Sequence, residues 1–308
     1  MKKTECVLGI DTSNYTTSVA LVDKNGDILS DFRKILKVEK GNRGLRQSEA
    51  LFQHVVNLPI IIEKLTANKK IAIKAVAASE KPRPVEGSYM PCFHAGITLG
   101  KSIASLMDIP YYGFSHQEGH IAALLPKAKL DRIKGFVCFH ISGGTCELLK
   151  VRKENINIIG GSKDISFGQL IDRTGVAMGM GFPAGEEMDL LAGEGYYTNH
   201  LKPIKINNLW INLSGIETGV KVLVEKDVNK KEIASELFEK IGTCIGKMMI
   251  NALEKTDFEK GLLVGGVSTS KTMRSYIEKI GKGRIIIIKS DLGKDNSVGI
   301  AQLGREKL

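Results

Sequence analysis

Phe136-Val137-Cys138-Phe139-His140-Ile141, running into Ser142-Gly143-Gly144-Thr145 and then Glu147-Leu148-Leu149-Lys150-Val151, decides the fold. An apolar run of strand length meets a tight polar loop and a second strand. The turn Lys153-Glu154-Asn155 then leads into a third strand, Ile156-Asn157-Ile158-Ile159. The N-terminus has the same syntax: Cys6-Val7-Leu8-Gly9-Ile10, a hydroxyl-rich loop over 11–17, Ser18-Val19-Ala20-Leu21-Val22, a turn, and Ile28-Leu29-Ser30-Asp31-Phe32. Asn25-Gly26 in that turn is a hairpin signal, because both residues tolerate positive φ. The unit recurs once, about half a chain apart, which is too long a period for a solenoid and reads as a duplicated domain.

Elsewhere helices and strands alternate. The spacing predicts helices over 49–65, 95–107, 232–254 and 297–304, and strands over 72–78, 261–267 and 284–288. Pro59 should kink the first helix or begin one. Ile233, Leu237, Ile241, Ile245 and Met249, four apart, make 232–254 the clearest helix. Alternating β and α with a repeated βββ unit predicts an α/β protein of two similar subdomains, with a ligand expected in an interdomain cleft. The boundary is placed near 127–134, giving residues 1–130 and 131–308.

The 308 residues are 43% hydrophobic and 25% charged, ordinary globular material, and no apolar run approaches the ~18 residues of a membrane span. Met1-Lys2-Lys3-Thr4-Glu5 lacks an apolar signal core, so a cytoplasmic protein with no membrane partner is expected. The five cysteines, Cys6, Cys92, Cys138, Cys146 and Cys244, include no CxxC pair and suit a reducing compartment. Lys and Arg total 44 against 34 Asp and Glu, a net +10 that favours a polyanionic partner. The excess is spread along the chain, as in any lysine-rich protein. These figures exclude a membrane-spanning protein, a disulfide scaffold and a disordered chain.

Three loops could cradle a nucleotide. Two leave equivalent strands, 11–17 with Asp11, Thr12 and Ser13, and 142–145; small residues there let backbone amides approach an anion. The third, Gly265-Gly266-Val267-Ser268-Thr269-Ser270, opens a helix whose N-terminus favours negative charge. A single Gly-Gly turn usually only turns, but three such loops in a duplicated frame point to a nucleotide. Neither a GxxxxGK[ST] loop nor a strand-linked GxGxxG is present.

Ser115-His116-Gln117-Glu118-Gly119-His120 is the sharpest feature. Ser115 and Glu118 form an S-x-x-E capping box, so a helix should start here. His116 and His120 then share one face, half a site for a divalent cation such as Fe, Zn or Mn. The bland alternative is two partly exposed histidines without a metal. The protease pattern H-E-x-x-H is absent, since Gln117 follows His116 and Glu118 is committed to capping. Further ligands must come from afar: Asp295, just before the last helix, and His140, at the end of the strand entering Ser142, are the candidates. His54 and His94 are read as packing or surface residues.

These motifs, in this order, resemble the universal tRNA threonylcarbamoyladenosine synthase subunit family (bacterial TsaD, archaeal and eukaryotic Kae1), formerly called O-sialoglycoprotein endopeptidase, peptidase family M22. Gly9-Ile10-Asp11-Thr12-Ser13 resembles its opening G-I-[ED]-T-S, Gly181-Phe182-Pro183-Ala184-Gly185 its G-[YF]-P-G-G, and Leu213-Ser214-Gly215-Ile216 its F-S-G-L. The resemblance spans essentially the whole chain and implies the actin/hexokinase/Hsp70-like (ASKHA) fold. It implies His116, His120 and Asp295 as metal ligands, and places His140 where some relatives have a tyrosine beside the metal. It implies Ser142, Gly143 and Gly144 as the phosphate-side loop and Asp172 as the acid of F-D-K. Gly185 and Asp189 would hold the ribose, and Gly265, Gly266 and Ser270 would line the adenine side.

Several positions depart from the family pattern. S-G-G-[HN]-T is Ser142-Gly143-Gly144-Thr145-Cys146, and S-G-L-K-T is Ser214-Gly215-Ile216-Glu217-Thr218, which reverses the lysine's charge. C-D-E is Asn14-Tyr15-Thr16, and G-P-G-L-V-G becomes Lys81-Pro82-Arg83-Pro84-Val85-Glu86-Gly87. These departures point to a diverged paralogue. The resemblance implies a metal-dependent acyltransferase that carries a threonylcarbamoyl or carbamoyl group from an ATP-derived acyl-adenylate to N6 of adenosine 37 in tRNAs reading ANN codons. One Fe2+ or Zn2+ ion and TsaB-like partner subunits are implied with it. The alternatives are a nucleotide-binding regulator without transferase activity and a carbamoyltransferase with another acceptor.

Overall fold

The computed structural model describes residues 3–13, 15–38, 45–67, 70–153, 155–196, 198–288, 290, 292 and 297–308. The chain divides into two compact units, Met1–Pro126 with Lys294–Leu308, and Lys127–Gly293.

The first unit opens with β1 (Thr4–Asp11), β2 (Thr16–Asp23) and β3 (Ile28–Ile35), and continues with α1 (Gln47–Thr66), β4 (Ile71–Lys81), α2 (Phe93–Met107), β5 (Tyr111–Ser115) and α3 (His116–Ala128). Its sheet has the order β3-β2-β1-β4-β5: the hairpin pairs are antiparallel, and β4 and β5 add in parallel. β1 lies at the centre, buried from Cys6 to Asp11, as a strand covered on both faces must be. The β2–β3 turn is the expected hairpin: Gly26 takes φ +92° and its amide donates to the Asp23 carbonyl at 3.0 Å. α1 runs through Pro59 as one helix rather than starting there, and buries Ala50, His54, Leu58, Ile61 and Leu65. His54 is the expected packing residue, with its Nδ1 2.8 Å from Thr17 Oγ1.

The second unit holds β6 (Phe136–Ile141), β7 (Cys146–Arg152), β8 (Asn155–Ser162), α4 (Phe167–Ala177), α5 (Gly185–Glu194), β9 (Trp210–Ile211), α6 (Ser214–Glu225), α7 (Lys230–Thr256), β10 (Gly261–Val264), a 3-10 turn (Gly266–Thr269), α8 (Lys271–Gly281) and β11 (Ile285–Ile287). The sheet order is β11-β10-β6-β7-β8-β9. Without β9, the run β8-β7-β6-β10-β11 repeats β3-β2-β1-β4-β5 pair for pair, antiparallel twice and then parallel twice. The duplication read from the sequence is therefore a duplication of topology. α7 packs Ile233, Leu237, Ile241, Ile245 and Met249 into this unit's core. The strand expected over 261–267 stops at Val264, because Gly265 takes φ +96° and bends the chain into the 3-10 turn.

The last helix, α9 (Val298–Arg305), packs on the first unit's sheet, with Ile300 buried against Val7, Ala75 and Ala77. Only small residues permit this approach. A Cβ at Gly299 would collide with the Gly119 carbonyl in α3, and one at Gly9 would stand 2.8 Å from Ala301 Cβ. A single cut at 130/131 leaves this helix in the second half of the chain, whereas it docks on the strands of the first.

Among the described residues no helix is long and apolar enough to cross a membrane. All five cysteines are buried, and no disulfide joins them among the described residues. Burial pushes the Cys6 thiol up to about 11 and those of Cys146 and Cys244 up to about 12, and it also raises Cys138. The native protein should therefore leave these thiols unlabelled by DTNB at neutral pH, and should release all five only on denaturation. Rapid labelling of the native chain would contradict this packing.

Candidate functional site

In the first unit the site is built on the junction of β5 and α3. Ser115 ends the strand and caps the helix: its amide and hydroxyl donate to Glu118 Oε2 at 2.7 and 2.6 Å, and its Oγ accepts from the Glu118 amide at 3.3 Å. The capping box read from the sequence thus fixes where α3 begins, and with it the face that carries His116 and His120. The two rings stand edge to face with centroids 4.4 Å apart, and their Nε2 atoms are 2.9 Å apart. His120 is 2% exposed.

Asp11, at the end of β1, is fully buried and reaches His116 Nδ1 with Oδ2 at 2.9 Å. The same carboxylate accepts from the Ser13 amide (3.2 Å) and hydroxyl (2.9 Å), and from the Ser79 hydroxyl. An ionised carboxylate only accepts, so this contact favours the His116 tautomer with its proton on Nδ1, in which the lone pair of the neutral ring lies on Nε2, the nitrogen that faces His120. This donor set suits a divalent cation. Two nitrogens each ~2.0–2.1 Å from a metal, at right-angled to tetrahedral separation, stand roughly 2.9–3.4 Å apart. A ligating imidazole usually donates its other nitrogen's proton to a carboxylate. Among the described residues no group of three or more His, Cys, Asp and Glu forms a metal cluster. Asp295 lies outside the described residues, and His140 belongs to the second unit.

The phosphate-loop candidates of the first unit are turned to protein. Thr12 Oγ1 donates to the Cys92 carbonyl at 3.0 Å and accepts from the Gly96 amide at 3.2 Å near the start of α2. Thr12 and Ser13 are as buried as Asp11.

The second unit gathers the other candidates at helix N-termini. Ser142 closes a tight turn, its amide donating to the Thr145 carbonyl at 2.9 Å and its Oγ accepting from the Thr145 amide at 3.1 Å. Ser166 Oγ donates to the Gly143 carbonyl at 2.7 Å while capping α4. Gly143, Gly144 and Gly266 are exposed, and among the described residues nothing lies within 4 Å of a Cβ built on any of them or on Gly185. A ligand could therefore approach these backbones closely. Asp172 accepts from the Ala184 amide at 2.9 Å and also from Gly185, at the start of α5; burial raises its pKa despite these bonds. Asp189 accepts from Ser270 Oγ (2.7 Å) and from the amides of Lys271 (2.9 Å) and Thr272 (3.1 Å). Ser270 in turn caps α8 through the Met273 amide. Gly265 is sterically required, because a Cβ there would strike the Ile141 carbonyl and stand 2.9 Å from His140 Cδ2.

Three residues of this arrangement escaped the sequence reading. Ser166 was legible, since Ser166 and Gln169 make a second capping box. Ser79, within the plain strand β4, gave no signal. Asp164 gave none either; it accepts from the Leu213 and Ser214 amides at 2.9 Å, capping α6 at the Leu213-Ser214-Gly215-Ile216 motif.

The chain matches the family model described as TsaD, tRNA N6-adenosine threonylcarbamoyltransferase, over residues 29–302. It is 27% identical to the protein of that name from Neorickettsia sennetsu, covering 98% of this chain and 93% of that one. Among solved structures it is similar to component A of the Acidaminococcus fermentans (R)-2-hydroxyglutaryl-CoA dehydratase (TM-score 0.61, 13% identity, 99% of each chain). It is also similar to a ROK hexokinase from Thermus thermophilus (TM-score 0.55, 11% identity, 98% of each chain). At such identities the structural likeness concerns the fold alone, and that fold is the duplicated actin/hexokinase/Hsp70-like one.

The Asp189 contacts make a ligand-independent prediction. Asp189→Ala should lower unfolding stability in urea by roughly 1–3 kcal/mol in the absence of any nucleotide, because it frees two helix-terminal amides and a hydroxyl. A variant as stable as the parent would assign this carboxylate to ligand binding alone.

Proposed function

Because this chain belongs to the tRNA N6-adenosine threonylcarbamoyltransferase family, we propose that it is an acyltransferase delivering a threonylcarbamoyl group to adenosine 37 of tRNA. The finer reading takes the donor as an acyl-adenylate and the acceptor as the exocyclic N6 amine in tRNAs that read ANN codons. The observation that carries it is the His116/His120 pair, whose Nε2 atoms face each other while Asp11 holds the far nitrogen of His116.

His116 and His120 would hold one divalent cation, Fe2+ or Zn2+, with Asp295 as the further ligand of this unit expected from the sequence. A cation bound there supplies Lewis-acid polarisation of the donor's carbonyl or phosphate oxygens. The protein's own groups do the rest. Backbone amides of Gly143 and Gly144 would receive phosphate oxygens, because no side chain obstructs them, while Ser142, whose amide is bonded to the Thr145 carbonyl, would shape the turn. Gly185, Gly265 and Gly266 would admit the adenosine. Asp172 and Asp189 hold the N-termini of α5 and α8 in place, so the loops that meet the nucleoside are set before it binds. Asp189 uses three of its roughly four acceptor positions in doing so, which leaves one for a ribose hydroxyl. The net charge of +10 suits a tRNA partner, and TsaB-like partner subunits belong to the same reading.

Glu217 favours a second reading, a relative with another acceptor or with regulatory binding only. Where the family pattern has a lysine, this glutamate is paired with Arg173 and Lys221, each at 3.2 Å.

His116→Ala should abolish metal binding and transfer together, and full transfer by the metal-free variant would end this mechanism. Mass spectrometry of tRNA nucleosides from cells lacking the gene, with and without other copies of the family, should show loss of the threonylcarbamoyl-adenosine nucleoside. An unchanged nucleoside profile would favour the second reading.

A further inference from the structure

We infer that Asp11 is a positioning residue for the metal-binding pair: it fixes the tautomer and orientation of His116 so that Nε2 is the ligating atom. This rests on the reading of His116 and His120 as metal ligands. Three observations carry it. The carboxylate is fully buried, so its interactions are undiluted by water. It is itself held, because Ser13 contributes an amide and a hydroxyl and Ser79 a hydroxyl from the neighbouring strand. It sits at the end of the central strand, which is paired along both edges, with β2 and with β4.

It also meets His116 Nδ1 at 2.9 Å, the ring nitrogen other than the one that faces His120. A bond there forces the ring proton onto Nδ1, frees the Nε2 lone pair and makes that nitrogen a better donor to a cation. The role differs from the phosphate contact expected of the 11–13 loop: a buried anion would repel a phosphate, whereas it suits an imidazole N–H.

Asp11→Asn separates this role from simple support. The amide oxygen can still accept from the Ser13 amide and from Ser79. The amide nitrogen, however, donates toward His116 Nδ1, which must then accept, and the ring proton moves to Nε2.

Two measurements decide the matter, and neither uses enzymatic activity. In long-range 1H–15N spectra of the metal-free wild type, His116 should carry its proton on Nδ1; in Asp11→Asn it should carry it on Nε2. In Co2+ titrations against a competing chelator, the variant should bind about 10–100-fold more weakly than wild type. Thermal unfolding of the metal-free forms serves as the control for a merely structural effect.

Wild-type Co2+ binding that is absent, or that is unchanged in His116→Ala, overturns the metal reading and this inference with it. Co2+ affinity in Asp11→Asn within twofold of wild type overturns the role of Asp11 alone. Should the variant fail to fold, the wild-type spectrum still decides, since an Nε2 proton on metal-free His116 contradicts the inference.

Discussion

A carboxylate removed from water costs several kcal/mol unless its oxygens are met by donors. Asp11 is such a carboxylate, and its solution organises the first unit. Donors reach it from Ser13 beyond the end of β1, from Ser79 on β4 and from His116 at the start of α3. The parallel pairing of β1 with β4 brings the first two together. The third requires α3 to begin at His116, which the Ser115/Glu118 cap enforces. Sheet register, helix start and imidazole orientation are thus coupled through one buried charge. The close seating of α9 over Gly9 covers the same strand two residues earlier.

The second unit repeats the topology and uses carboxylates differently. Asp164, Asp172 and Asp189 each meet backbone amides at the start of a helix that follows later in sequence: α6, α5 and α8. A carboxylate at a helix N-terminus satisfies orphan amides and complements the macrodipole. These contacts are strong enough at Asp164 to hold its carboxyl below the ordinary range, although burial alone would raise it. Asp172 moves the other way because burial outweighs its two amide donors. Three positions in or near motifs shared with the family therefore have an architectural task in this chain, which is to fix the loops around Gly185, Gly215 and Gly266. The exposed glycine backbones carry no side chain and, among the described residues, have no atom within 4 Å of a Cβ built on them, and the carboxylates behind them keep those backbones in place.

Much of this was legible because it is local. The hairpin at Asn25-Gly26, the capping box at Ser115-Glu118 and the four-residue spacing along α7 each depend on a few neighbouring residues. The helices α4, α5 and α6 were harder to read. Their apolar faces are short, and two of their caps lie far off in sequence. The apolar pattern over 261–267 runs on past Gly265, but the strand ends at the bend there, where Gly265 takes φ +96° and leaves no room for a Cβ beside the Ile141 carbonyl.

The sequence by itself determined the α/β alternation, the doubling of the βββ unit, the start of α3 and the placement of two imidazoles on one helical face. All of these follow from periodicity and backbone preference over a turn or two. Only the tertiary structure decided that Asp11 meets His116 across 105 residues. It alone decided that Asp189 closes the start of α8 and that the chain's last helix lies on its first sheet. Such contacts are fixed by strand order and by which small residues let elements touch, and no local pattern encodes either.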